Sequence, residues 1–231
     1  ASPNTAPLTA AVNATLTLAL DGRHLAFDGL TITSNDNVVR GLAIYDFDSN
    51  IGAPYYNAIV INGGQRNVIA GNLLGLAADG SQGSSFQRAG VNIRALAKQN
   101  TIGGASAADR NVISGSRYAG VRIEGNLALT NTVQGNLIGP APTGTAVLTG
   151  SQQLYGVLLT NIAYGNQVLD NVISGNSVAG VVISDSAGDN QVQGNLIGPA
   201  ASGDAVLSGS TQNDGVWINT SASDNLVQGN L

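Results

Sequence analysis

The stretch that decides the fold is Asn131-Thr-Val-Gln-Gly-Asn-Leu-Ile-Gly139, because the chain writes it again as Asn190-Gln-Val-Gln-Gly-Asn-Leu-Ile-Gly198. A near copy is Asn67-Val-Ile-Ala-Gly-Asn-Leu-Leu-Gly75, and the last one runs from Asn225 to Leu231. A shorter relative, Asn-Val-Ile-Ser-Gly, occupies 111–115 and 171–175. Between these lies a second motif, Gly-Val-x-Ile, starting at Gly90, Gly120, Gly156, Gly180 and Gly215, with Ala58-Ile-Val-Ile61 as an earlier variant. Successive starts are 32, 30, 36, 24 and 35 residues apart, so long and short steps combine into a superrepeat of about sixty residues. A fixed period of this kind marks a stacked array.

Both motifs are short, β-branched and of period two, which reads as strands with one buried face. Frequent Gly works against helices. Asn62-Gly63 is the only Asn-Gly dipeptide, so the strands recur without hairpin signals and must stack in parallel. The expectation is an all-β chain, a right-handed parallel β-helix of about seven turns. Val91 and Ile93, Val121 and Ile123, Val157 and Leu159, Val181 and Ile183, and Val216 and Ile218 are its inward columns. Asn67, Asn100, Asn131, Asn166, Asn190 and Asn225 recur at one place in the motif. An Asn there can take left-handed backbone, bond the turn with its amide, and stack on its equivalents. Gly71, Gly135, Gly194 and Gly229 fill the next bend, where Asp170 is an exception read as a turn residue.

Composition narrows the function classes. Lys plus Arg number 9 against 14 Asp plus Glu, for a net charge of −5, which is wrong for a nucleic-acid partner. No apolar run is long enough for membrane insertion, and the absence of Cys removes thiolate chemistry. The opening Ala1-Ser2-Pro3-Asn4 reads as a chain whose leader was removed, or as an excised piece. With the Asn-, Gly-, Ser- and Thr-rich composition, it points to an extracellular or cell-surface location.

On these motifs the chain resembles the right-handed parallel β-helix repeat proteins of the pectin-lyase-like superfamily. It is most similar to bacterial secreted and surface repeats carrying Asn-Val-Ile-Ser-Gly-Asn and Gly-Asn-x-Ile-Gly. The resemblance covers about residues 29 to 231, leaving 1–28 as an N-terminal arm or cap with the first strands. It implies a fold and spans several functions, among them polysaccharide lyases, glycoside hydrolases, epimerases, adhesins and spacers.

Catalytic signatures of that superfamily are not matched. Arg122-Ile-Glu124 is the nearest string to Arg-Ile-Lys, and lacks the Lys. Asp185, Asp189, Asp214 and Asp224 fall in loops of adjacent turns and read as solvated turn residues. The single His24 precedes the regular turns and suits a solvated or cap role. No catalytic residue, metal site or cofactor is assigned.

Alternation puts Val60, Asn92, Arg122, Leu158, Val182 and Trp217 in one outward column, and Asn62, Arg94, Glu124, Thr160, Ser184 and Asn219 in a second. Arg94 and Glu124, one turn apart, are placed to pair weakly. Leu158, Val182 and Trp217 form an apolar stripe with three readings: an interface, a surface covered by the long loops, or a carbohydrate platform with Tyr155. The chain stops inside its motif at Leu231, an uncapped end that invites self-association, end to end or laterally. The leading expectation is a non-enzymatic extracellular structural or adhesive rod, a head-to-tail filament subunit or a segment of a larger surface protein. The alternative is a carbohydrate-active lyase or hydrolase, with a polysaccharide as partner.

Overall fold

The computed structural model describes residues 1–23, 25–47, 56–81 and 87–231. His24 lies outside them. Twenty-one strands are found among the described residues, arranged as three sheets of seven, and every pairing between them is parallel. Each turn passes from a front sheet, through a side sheet, to a back sheet. This is the seven-turn parallel β-helix that the repeats predict. The front strands are Leu30–Ile32, Ile59–Asn62, Ala89–Arg94, Ala119–Glu124, Tyr155–Thr160, Ala179–Ile183 and Asp214–Ile218. No helix among the described residues is long and apolar enough to cross a membrane.

The motif residues pack as the period requires. Val91, Val121, Val157 and Val181 stack in register, as do Ile93, Ile123, Leu159 and Ile183, all fully buried. Ile102, Val133, Val168 and Val192 fill the core from the side sheet, and Leu74, Ile113, Ile138 and Ile173 from the back. Each such side chain contributes about 1.5–3 kcal/mol on burial. The Gly of Gly-Val-x-Ile has a steric cause. A Cβ at Gly156 would stand 2.3 Å from Ile173 Cγ2 and 2.5 Å from the Gly180 carbonyl oxygen.

Asn does more than the period predicts. The expected ladder runs from Asn37 through Asn67, Asn100, Asn131, Asn166 and Asn190 to Asn225. In each step Oδ1 of one Asn accepts both the backbone N–H and the Nδ2 of the Asn one turn earlier, at 2.8–3.2 Å. The left-handed backbone, however, belongs to the residue before: Asp36, Arg66, Gln99, Thr130, Gly165, Asp189 and Asp224 all have positive φ. The Asn therefore serves by its side chain alone. A second ladder, not anticipated as one, joins Asn72, Asn111, Asn136, Asn171, Asn195 and Asn230 at the side-to-back corner.

The outer face of the back sheet is apolar too. Ala43, Leu73, Val112, Leu137 and Val172 are covered by Leu76, Leu148 and Ala201 of the long loops and by Leu8, Val12 and Leu16 of the N-terminal segment. That segment docks on its own chain. Asn4 Nδ2 donates to the Ala107 carbonyl at 2.9 Å, Arg110 Nη1 to the Pro7 carbonyl at 3.0 Å, and the Val12 amide to the Pro142 carbonyl at 2.9 Å. Residues 1–16 thus lie as an arm along the back of the coil, and Leu18–Asp21 opens the back sheet.

Candidate functional site: the outer face of the front sheet

Columns that repeat one residue type from turn to turn do a structural job. The core columns are Val and Ile, and both ladders are Asn. The side sheet carries amides that bond their neighbours, as between Gln167 and Gln191 or Gln193 and Gln228. The outer face of the front sheet does not repeat. Its register joins Val60, Asn92, Arg122, Leu158, Val182 and Trp217, the outward column read from alternation.

The predicted stripe is brought together, but only part of it is open. Leu158 and Val182 are each 4% exposed, whereas Trp217 is 41% exposed. Tyr118, Tyr155 and Val178 pack against Leu158 and Val182. The described parts of the long loops cover the back sheet instead. Tyr155 stands in register with Ala119 and Ala179, whose small side chains leave room for a ring. Its ring meets that of Tyr118 edge to face, with centroids 5.4 Å apart and an interplanar angle of 87°. Burial, and then the neighbouring Tyr118, pushes the Tyr155 hydroxyl above its ordinary value.

The result is a cleft of about 160 Å³ between Tyr118 and Tyr155 on one side and Trp217 on the other. Leu158 and Val182 line its apolar part, and Thr160, Ser184 and Asp185 its polar part. Thr160 Oγ1 donates to Asp185 Oδ2 at 2.6 Å, and Ser184 Oγ donates to Thr160 Oγ1 at 3.1 Å.

Beyond Tyr118 the face becomes basic. The guanidinium carbons of Arg88 and Arg122 lie 5.7 and 5.8 Å from the Tyr118 ring centroid, within cation–π range. Glu124 pairs with Arg122 of its own strand, not with Arg94 as the column order suggests. Arg122 Nη2 lies 2.7 Å from Glu124 Oε2 and Nη1 donates to Oε1 at 2.8 Å. Two residues apart on one strand, they share a face, and the fork of the guanidinium fits both oxygens. Asn92 Nδ2 donates to the same carboxylate at 3.1 Å. Burial pulls the Arg122 guanidinium below its ordinary value. Glu124 opposes that fall, and Arg88 adds to it. Arg122 Nε and Asn92 Oδ1 are buried without partners.

Sequence reasoning did not single out Arg88 or Tyr118. The signal was positional, since each directly precedes an Ala-Gly-Val motif start. The four Asp residues examined as a metal set are dispersed. Asp185, Asp189 and Asp224 hold left-handed turn positions, Asp189 accepts from the Tyr164 hydroxyl, and Asp214 opens a front strand. No three His, Asp or Glu groups converge among the described residues.

The fold defines the chain as a parallel β-helix. No protein-family model matches the chain, and no curated protein does. Among solved structures it is similar to the mannuronan C-5 epimerase AlgE4 A-module of Azotobacter vinelandii, with a TM-score of 0.48 and 16% identity. The match covers 89% of this chain and 54% of that one, so the chain spans about half the length of that module.

Proposed function

We propose that the chain is an adhesive β-solenoid that binds an acidic polysaccharide along the outer face of its front sheet and performs no chemistry on it. The observation that carries this reading is the meeting of aromatic rings and guanidinium groups on that face. Tyr118, Tyr155 and Trp217 offer apolar ring faces to sugar rings. Arg88, Arg94 and Arg122, with Glu124 the one carboxylate among them, make a local positive patch on a chain whose net charge is −5. From the turn of Asn92 to that of Trp217 is four steps, about 19 Å at 4.8 Å each, a length that suits an oligosaccharide. Binding without catalysis is favoured by the state of the acids. Glu124 is held by Arg122 and Asn92, and Asp185 by Thr160. An extracellular or cell-surface location goes with such a ligand.

The test is affinity electrophoresis in gels containing polygalacturonate, alginate or neutral dextran, with Trp217→Ala and Arg88→Gln beside the wild type. Retardation by the acidic polymers alone, lost in both variants, is expected. Equal retardation by dextran, or none by any polymer, refutes the reading. Release of reducing ends or unsaturated sugars from the bound polymer would replace it with the lyase or hydrolase alternative.

A further inference from the structure

The residue immediately before each member of the second ladder forms its own column at the side-to-back corner. It reads Gly71, Arg110, Gly135, Asp170, Gly194 and Gly229. Only two positions break the glycine, and they carry opposite charges. Asp170 takes the left-handed backbone of the glycines, at φ 52°, and Arg110 does not. Gly135, packed against the Gly104 carbonyl, lies in the turn between them, so their backbones are two turns apart, about 10 Å.

Over that gap lies a cavity of about 240 Å³, lined by Arg110, Asp170, Gln134 and Ser106 and closed on one side by Pro7 and Leu8 of the arm. Arg110 is 4% exposed and, among the described residues, has no carboxylate in ion-pair range. It spends Nη1 on the Pro7 carbonyl, and its Nε has no partner. A buried guanidinium without a counter-ion is destabilising. A bound anion relieves that. Asp170 limits which anion: its exposed carboxylate, which lies against Gly194 and accepts from Gln134 Nε2 at 3.3 Å, repels a dianion and accepts from a donor.

We propose that this cleft binds a small monocarboxylate that also carries a hydrogen-bond donor, an amino acid or a hydroxy acid. Its carboxylate meets Arg110, and its ammonium or hydroxyl group meets Asp170. The site is separate from the front face and does not depend on the glycan reading.

The experiment is a backbone-amide NMR titration of the whole chain with glycine, glycolate, acetate and sulfate. Saturable shifts are expected at the amides of Ser106 to Asn111, Gly135 and Leu8. Glycine or glycolate should bind about two- to fivefold more tightly than acetate, the size of an exposed ionic contact, and sulfate most weakly. A preference for glycine identifies the ammonium partner, and a preference for glycolate the hydroxyl. Asp170→Gly restores the residue of the other turns at a backbone angle glycine favours, and should bring all three carboxylates to one affinity. Arg110→Gln should abolish the shifts. No saturable shift in the wild type, shifts that persist in Arg110→Gln, or an unchanged preference in Asp170→Gly would each overturn the proposal.

Discussion

Replacing Asn131 by Ala removes the middle rung of the first ladder. Asn131 is fully buried. Its Oδ1 accepts the Asn100 amide at 3.0 Å and Asn100 Nδ2 at 2.9 Å, and its Nδ2 donates to the Ala97 carbonyl at 3.1 Å and Asn166 Oδ1 at 3.0 Å. The neighbours do not lose equally. Ala97 still accepts from the Leu129 amide, and Asn100 Nδ2 still donates to Gly64. The Asn100 N–H is left buried with nothing. One orphaned donor costs about 1–3 kcal/mol and each of the three further lost bonds about 0.5–1.5, so the variant should lose about 2.5–7.5 kcal/mol. Against a domain stability of about 5–15 kcal/mol this is large. Asn225→Ala removes the two bonds from Asn190 and the two to the Ala187 and Ser223 carbonyls in the last turn, where Asn225 is half-buried, and should cost about 1–2 kcal/mol. Urea unfolding followed by far-ultraviolet circular dichroism gives both midpoints. If Asn131→Ala costs less than about 1 kcal/mol, or no more than Asn225→Ala, the ladder is not the support described.

Gly156→Ala drives a methyl group into the Gly180 carbonyl and Ile173. It should destabilise by about 1–3 kcal/mol or more in the same unfolding assay, and a neutral result would contradict the stacking distance. Asn4 is 2% exposed and anchors the arm through Ala107, Ala6 and Asn13. Asn4→Ala should therefore raise hydrogen exchange in residues 1–16 while leaving the core strands protected. Stability should also fall in acid. The Asp21 carboxyl is held below its ordinary value by Arg23, Asp36 by Arg66 and Asp79 by Ser81. At Asp109 burial pushes upward, but Ser106 and Arg40 bring it below the ordinary value. A carboxylate whose value is depressed on folding stabilises at higher pH, and the effect is lost as pH falls through that value. The melting temperature should be nearly level from pH 8 to 5 and drop below about pH 4. A rise on acidification would contradict the signs.

The coil was legible because its physics is periodic. Gly-Val-x-Ile and Asn-x-Val-x-Gly-Asn-x-Ile each supply an alternating face and a bend, and a strand that recurs without a hairpin can only stack. Even the outward order from Val60 to Trp217 followed from alternation. What was hidden depends on contacts between turns. The Asn of Gly-Asn-Leu-Ile-Gly looks like turn punctuation until its amide is seen to bond the next turn. The Leu in the same motif looks inward, yet Leu73 and Leu137 face out and are covered by loops and the arm. The candidate face was half legible. Leu158, Val182 and Trp217 were in the column, but Arg88 and Tyr118, which help shape the face, sit just before the strands, at a repeated place whose residue type changes from turn to turn. Arg122 with Glu124 was misjudged in partner because the column order gave no weight to two residues of one strand sharing a side.

Trp217 is the only Trp in the chain, and it stands half-exposed at the edge of the proposed glycan cleft. Its fluorescence is therefore the most direct report on the central claim. Titration with polygalacturonate or alginate oligomers should change the emission saturably, and neutral dextran oligomers should leave it unaltered. An emission that ignores acidic oligomers, or answers dextran equally, would contradict the account.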